Sequence, residues 1–133
     1  MGAATALQLA KAGCRVAINF NQSADHAETV ADQCREAGVE AILVQGDVAE
    51  DSACRAMVQQ AVEAFGGLDI LINNAGTTRF IDFPDLDAVT DEDWERIFAV
   101  NLKGPFQMAR AARKALAAGK GGVIVNTASI AGM

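Results

Sequence analysis

Two amides, a small residue and a glycine directly follow a mainly apolar run near the middle of this 133-residue chain. The run spans residues 68–72, and Asn73, Asn74, Ala75 and Gly76 come next. Such a run is typical of a strand buried on both faces of a parallel sheet. In open α/β sheets, ligands bind just beyond the carboxyl ends of the strands. The segment therefore predicts side-chain amides and accessible backbone where a flat polar ligand can lie.

Four other positions carry residue types that suit a ligand site at the ends of predicted elements. Gly2 begins an Ala-rich and Leu-rich helix, where a glycine lets the backbone approach a pyrophosphate and the helix start supplies N–H donors. Asp47 and Val48 follow a predicted strand, Asn101 lies within a long predicted helix, and Ser129 stands just past the last predicted strand.

Each of these positions also has a structural interpretation that involves no ligand. Gly2 taken alone would suit a flexible terminus, and Asp47 would suit the start of the next helix. Asn101 could be an exposed helical asparagine, a poor helix former. Ser129 could be an ordinary loop serine. Asn and Gly are also common turn residues.

The elements that must position these residues alternate regularly between helix and strand. Periodicity and turn residues predict helices at 3–12, 23–37, 50–65 and 90–118, and strands at 15–20, 41–45, 68–72 and 123–126. In the last helix we expect a break or kink at Gly104 and Pro105. The order α-β-α-β-α-β-α-β indicates one α/β domain over residues 1–133, a doubly wound parallel sheet covered by helices on both faces.

Composition excludes several classes of function. The net charge of −6 and a pI near 4.6 leave no basic patch for nucleic acid or anionic membranes. No stretch is long and apolar enough to span a bilayer, and the chain starts without a signal-peptide pattern, so we expect a cytoplasmic protein.

Cysteine and histidine give no sign of metal or redox chemistry. Cys14, Cys34 and Cys54 are odd in number and lack a Cys-x-x-Cys spacing, which favours buried thiols over a metal site. The one histidine, His26, stands in a polar, helix-like stretch and is expected at the surface.

These segments together resemble the short-chain dehydrogenase/reductase family. The sequence Asn73-Asn74-Ala75-Gly76 is similar to the family's Asn-Asn-Ala-Gly signature, and Gly2 is similar to the last glycine of its Thr-Gly-x-x-x-Gly-x-Gly cofactor loop. The resemblance implies a Rossmann-like fold, NADP or NAD as cofactor, and a small carbonyl or secondary alcohol as substrate. It also implies a homo-oligomer when the protein is complete.

The same resemblance implies a role for individual residues. Ser129 aligns with the serine that orients the substrate carbonyl, and Asn101 aligns with an active-site asparagine that kinks its helix and holds water in a proton relay. The implied adenine contacts are Asp47 and the backbone N–H of Val48. The complete set of implied cofactor-binding residues is Gly2, Phe20, Asn21, Asp47, Val48, Asn74, Ala75 and Gly76.

The end of the second family strand predicts a preference for NADP. In dinucleotide folds an acid at this point bonds the ribose 2′-OH and repels a 2′-phosphate. Phe20 stands where NAD-using relatives carry Asp, and Asn21, Gln22 and Ser23 can donate hydrogen bonds to a phosphate. Because no arginine occurs in this stretch, we expect a modest preference and allow dual use.

The chain departs from the family pattern at both ends. It contains no tyrosine, so the family's Tyr-x-x-x-Lys pair is absent, and no strand precedes Gly2. We therefore expect an internal fragment, inactive by itself, of a longer reductase. A non-catalytic dinucleotide-binding module or a decayed homologue is the alternative. The absent strand would lie between those at 15–20 and 68–72, so the isolated chain should be marginally stable.

Overall fold

The structure, a computed structural model, describes residues 1–119 and 121–129. Helices and strands alternate as predicted. In chain order the elements are α1 (Gly2–Lys11), β1 (Val16–Phe20), α2 (Ala24–Glu36), β2 (Ala41–Gln45), α3 (Asp51–Phe65), β3 (Ile70–Asn73), a 3₁₀ turn (Leu86–Ala88), α4 (Asp91–Phe98), a π-helical turn (Ala99–Lys103), α5 (Gly104–Ala118) and β4 (Val123–Asn126).

A left-handed glycine ends three of the helices, and at α2 it is Gly38 with φ of 91°. Gly66 caps α3 with φ of 76°, and its N–H donates to the Val62 carbonyl. Gly13 follows the cap of α1 with φ of 87°. A side chain is strained in this conformation, so glycine is favoured at the residue where each helix must stop.

The strands form two parallel pairs instead of one continuous sheet. β1 pairs with β2 from Val16–Ala41 to Phe20–Gln45, and β3 pairs with β4 from Ile70–Val123 to Asn73–Asn126. Within the described residues no ladder joins β1 to β3. Both strands instead line a cavity of about 580 Å³, which α1 and α3 also border. This is the position where the sequence predicted that a central strand is absent.

Two predicted boundaries were wrong. β3 spans Ile70–Asn73, so it begins two residues later and ends one residue later than the predicted strand at 68–72. The long helix is interrupted at Ala99–Lys103, before the predicted break. Pro105 accounts for this difference: it has no N–H to donate to the Asn101 carbonyl, so the regular ladder is lost in the turn before the proline.

The core consists of small apolar side chains between helices and strands. Cys34 and Cys54 are fully buried within it, as predicted, and burial raises the pKa of both thiols. Cys14 was also predicted to be buried but is only half-buried. α3 packs against α5, with Val58, Ala112 and Leu116 buried between them. In the described part of the chain, no helix is long and apolar enough to cross a membrane, and no group of three or more potential metal ligands occurs.

Candidate functional site

A pocket of about 680 Å³ lies at the carboxyl ends of the strands. The start of α1, the end of β1 and the loop after β3 all border it. Its lining includes Gly2 and Ala3, then Phe20, Asn21, Gln22 and Ser23, then Gly76 and Thr77, with Arg96 from α4. The parallel topology therefore brings Gly2, Phe20, Asn21 and Gly76 to one pocket, although 74 positions of sequence separate the first from the last.

The first residue of α1 is in close contact with the loop after β3. A Cβ built on Gly2 would lie 2.8 Å from Nδ2 of Asn74, closer than side chains approach. A larger residue at this position would have to displace the end of the Asn74 side chain, so glycine lets the start of α1 lie directly against Asn74. The free N–H groups of the helix start give this end positive potential. Such a cradle fits the pyrophosphate of a dinucleotide.

The two adjacent asparagines after β3 have different roles. Asn73 is 8% exposed, and its Nδ2 donates to Oδ1 of Asn126 at 2.8 Å, which ties β3 to β4 by side chains. Asn74 is half-buried and accepts a hydrogen bond from the Thr127 hydroxyl at 3.4 Å. Ala75 and Gly76 are exposed. Only the second amide of the motif is therefore available near the pocket.

Asp47 connects three separate segments. Its Oδ1 accepts the Ala49 N–H at 2.9 Å, and its Oδ2 accepts Nη1 of Arg96 at 2.7 Å and Nδ2 of Asn21 at 3.4 Å. Burial by itself raises the pKa of the Asp47 carboxyl, but the hydrogen bonds from Arg96, Ala49 and Asn21 outweigh burial and hold the pKa below its ordinary value. This carboxylate is charged at neutral pH.

Val48 fixes the turn that follows β2. The residue is 8% exposed, and its carbonyl accepts Nε2 of Gln107 at 2.9 Å and the Cys54 thiol at 3.3 Å. A Cβ on Gly104 would lie 3.0 Å from a Val48 methyl carbon, so α5 packs closely against this turn. The turn that carries Asp47 and the Val48 N–H is therefore held from beneath by α3 and α5.

Asn101 lies in the π-helical turn and binds the loop after β3. Its Oδ1 accepts the Thr77 N–H and its Nδ2 donates to the Thr77 carbonyl, both at 2.8 Å. This two-point contact holds the main chain next to Gly76. Asn101 therefore lies beside the loop that carries Gly76, and its partner Thr77 was not predicted from the sequence.

Ser129 follows β4 by three residues and is exposed. The Thr127 N–H donates to the Asn73 carbonyl at 2.9 Å, which continues the β3–β4 pairing one residue beyond the strands. The segment leading to Ser129 thus runs beside Asn73 and Asn74. Ala131 and Gly132, which support the sequence match around Ser129, lie outside the described residues.

Arg96 is a charged pocket residue that was not predicted from the sequence. It lies 49 positions from Asp47 and 75 from Asn21, and no local pattern connects it to either. Only the packing of α4 beside the turn after β2 brings the three together. No arginine occurs at residues 18–23, as the sequence shows, but the fold brings Arg96 to this end of the pocket from α4.

Comparison with known proteins gives one consistent family. The family model described as short chain dehydrogenase matches residues 1–133. A 3-oxoacyl-[acyl-carrier-protein] reductase of Staphylococcus aureus is 35% identical over 134 residues, covering 99% of this chain and 52% of the relative. The chain spans about half the length of the curated relatives it matches.

Solved structures agree with the sequence match. A candidate short-chain dehydrogenase/reductase from Burkholderia xenovorans superimposes with a TM-score of 0.92 at 41% identity, covering 98% of this chain and 56% of that one. A short chain dehydrogenase from Burkholderia cenocepacia in complex with NADP superimposes with a TM-score of 0.87 at 39% identity. The match covers 97% of this chain and 51% of that one. The Rossmann-like α/β fold predicted from the sequence is confirmed, in a form shorter than these relatives.

Proposed function

Because this chain belongs to the short-chain dehydrogenase/reductase family of oxidoreductases, we propose that the protein transfers a hydride between NADP or NAD and a small carbonyl or secondary alcohol. The observation that carries the proposal is the close contact of Gly2 with Asn74 beside a pocket at the carboxyl edge of the strands. The free N–H groups at the start of α1, next to the loop that carries Asn74, suit the binding of a dinucleotide phosphate.

Residues that line or border the pocket would hold the parts of the cofactor. The start of α1 at Gly2 would hold the pyrophosphate, and the turn at Asp47 and Val48 would contact adenine. Phe20 and Asn21 would lie beside the adenosine ribose. Asn74, Ala75 and Gly76 would border the nicotinamide half, where Gly76 offers backbone without a side chain. NADP is the cofactor of one similar structure, which supports the preference expected from Phe20.

Catalysis would divide between residues of this chain and residues outside it. The bound nicotinamide supplies or accepts the hydride. Ser129 would donate a hydrogen bond to the substrate oxygen and orient the carbonyl. By family resemblance, a Tyr-x-x-x-Lys pair, absent from these 133 residues, would supply the proton.

Asn101 would act in the proton relay through its main chain. Both ends of its side-chain amide are engaged with Thr77. Its carbonyl, however, lacks the donor four residues later, because that residue is Pro105. A carbonyl without this helical partner can accept a hydrogen bond from water, which is the property that a relay needs.

The complete protein would assemble as a homo-oligomer through the outer face of α4 and α5. Four large apolar side chains recur there every four residues, each half or more exposed: Trp94, Phe98, Leu102 and Phe106. Exposed apolar stripes of this kind are typical of interfaces. Sedimentation of the complete protein with Phe106→Arg should show smaller particles than the same substitution at Phe83, an exposed loop residue.

The experiment that tests the function is a ketone-dependent assay of NADPH oxidation by the complete protein. A panel of small ketones and 3-oxoacyl thioesters would be compared with a no-substrate control. Turnover with at least one carbonyl supports the reductase. NADPH binding without turnover of any carbonyl would instead support the non-catalytic binding module.

A further inference from the structure

Arg96 reaches the pocket from α4 and meets the end of β1 through a shared carboxylate. Its Nη1 lies 2.7 Å from Oδ2 of Asp47, and the same oxygen accepts Nδ2 of Asn21 at 3.4 Å. Asn21 stands directly after Phe20, where dinucleotide folds contact the adenosine ribose. The guanidinium is therefore next to the residues that would surround the ribose 2′ position.

The guanidinium retains unused hydrogen-bonding capacity. Its side chain is 48% exposed, and among the described residues only Nη1 donates a hydrogen bond. Arginine carries five N–H donors in a rigid fork, so a second acceptor can be held beside the carboxylate. Among the described residues that line the pocket, Arg96 is the only lysine or arginine.

Asp47 fixes the direction of this fork. Its other oxygen is held by the Ala49 N–H at 2.9 Å, so the carboxylate belongs to a closed turn. Gln107 also holds this turn, because its Nε2 donates a hydrogen bond to the Val48 carbonyl. An arginine held by an anchored carboxylate loses less conformational freedom when it binds a second anion.

We propose that Arg96 is the specificity-determining residue that binds the 2′-phosphate of NADP, and that Asn21 is a neighbouring hydrogen-bond donor to the same phosphate. The inference rests on the proposed function, in which this pocket holds a nicotinamide dinucleotide. It explains how a chain without arginine at residues 18–23 can prefer the phosphorylated cofactor. A phosphate carries close to two negative charges at neutral pH, and bidentate arginine is well suited to it.

The test compares two adenosine nucleotides that differ only in the 2′-phosphate. Calorimetric titration of the complete protein would use 2′,5′-ADP and 5′-AMP, with wild type, Arg96→Gln, Arg96→Lys and Arg113→Gln. Arg113 is exposed on α5 and does not line the pocket, so its variant removes the same charge elsewhere. Circular dichroism would establish that the variants have the same helix content.

The wild type should bind 2′,5′-ADP about tenfold more tightly than 5′-AMP, equivalent to about 1.4 kcal/mol. Arg96→Gln should remove most of this difference in affinity, with little change in the affinity for 5′-AMP. Arg96→Lys should retain part of the difference, because lysine keeps the charge but lacks the planar guanidinium. Arg113→Gln should behave as the wild type.

Two results would overturn the assignment while leaving the proposed function intact. One is an Arg96→Gln variant that weakens both nucleotides equally, which would make Arg96 a support for the Asp47 turn. The other is a wild type that binds both nucleotides with the same affinity. Failure of the wild type to bind either nucleotide would contradict the cofactor pocket itself, and with it the proposed function.

Discussion

Single residues at the carboxyl edge of the strands fall into two groups. Asn73 and Asn101 use their amides to hold neighbouring backbone or side chains. Asn21 and Ser129 are exposed and accessible to a ligand, although Nδ2 of Asn21 also donates a hydrogen bond to Asp47. The residue types alone did not separate the groups, because asparagine occurs in both.

Replacement of Ser129 by alanine should lower kcat of the complete enzyme far more than it weakens cofactor binding. Loss of one hydrogen-bond donor to the transition state costs about 10²–10³ in rate. Steady-state kinetics and an NADPH titration of the same preparation would measure the two effects. Ser52→Ala, on the exposed side of α3, is the matched control. Near-normal kcat in Ser129→Ala would mean that the serine is an ordinary loop residue.

Replacement of Phe20 by aspartate should shift cofactor preference from NADP toward NAD. A carboxylate beside the ribose would bond the 2′-OH and repel a 2′-phosphate. A tenfold change in the ratio of kcat/KM values requires about 1.4 kcal/mol. Phe83→Asp introduces the same charge on a fully exposed loop residue and should leave the ratio unchanged. A wild type that clearly favours NAD would show that the ribose site lies elsewhere.

Candidate site residues that follow a strand or begin a helix could be proposed from the sequence, because topology fixes where such residues lie. Gly2, Asp47 and Gly76 are of this kind. Arg96 could not be identified, since its place depends on how α4 packs across the turn after β2. His26 was correctly expected to be exposed, but its position at the rim of the pocket was not foreseen.

At the scale of elements, strands with clear turn residues on both sides were predicted accurately. β2 and β4 have the predicted bounds. The interruption between α4 and α5 was placed too late, because a proline affects the carbonyl four residues before it as well as its own position. Ser23 occupies the N-cap of α2 as predicted, but its side chain makes no capping hydrogen bond.

The start of α4 should depend on a capping box between Thr90 and Asp93. The Asp93 N–H donates to the Thr90 hydroxyl at 3.3 Å, and the Thr90 N–H donates to the Asp93 carboxylate at 3.0 Å. Thr90→Ala should cost roughly 1 kcal/mol of local stability. Hydrogen exchange at the amides of the first turn of α4 should accelerate about fivefold. Unchanged protection would contradict a capping role.

At the scale of the whole molecule, the main feature is the separation of the sheet into two parallel pairs. The facing edges of β1 and β3 border the same cavity. The general strand order of doubly wound folds places a further strand between two such pairs. The extent of the cavity depends on how α1 and α3 close over it, which sequence alone does not determine.

The 133-residue chain alone should show no reductase activity and only marginal stability. It has no tyrosine to donate a proton, and unpaired backbone groups cost about 1–3 kcal/mol each when buried. An NADPH assay with a ketone panel and a urea titration would measure both properties. Turnover above a no-protein control, lost in Ser129→Ala, would contradict the first expectation, and a cooperative transition at high urea would contradict the second.

The most direct test of hydride transfer is isotopic. The complete protein would be incubated with a ketone and NADPH that carries deuterium at the transferable position of the nicotinamide, and the alcohol would be analysed by mass spectrometry. The proposed function predicts one deuterium on the carbinol carbon, and a much smaller yield of labelled alcohol from Ser129→Ala. NADPH bound without any labelled alcohol, across the ketone panel and with both cofactor stereoisotopomers, would contradict it.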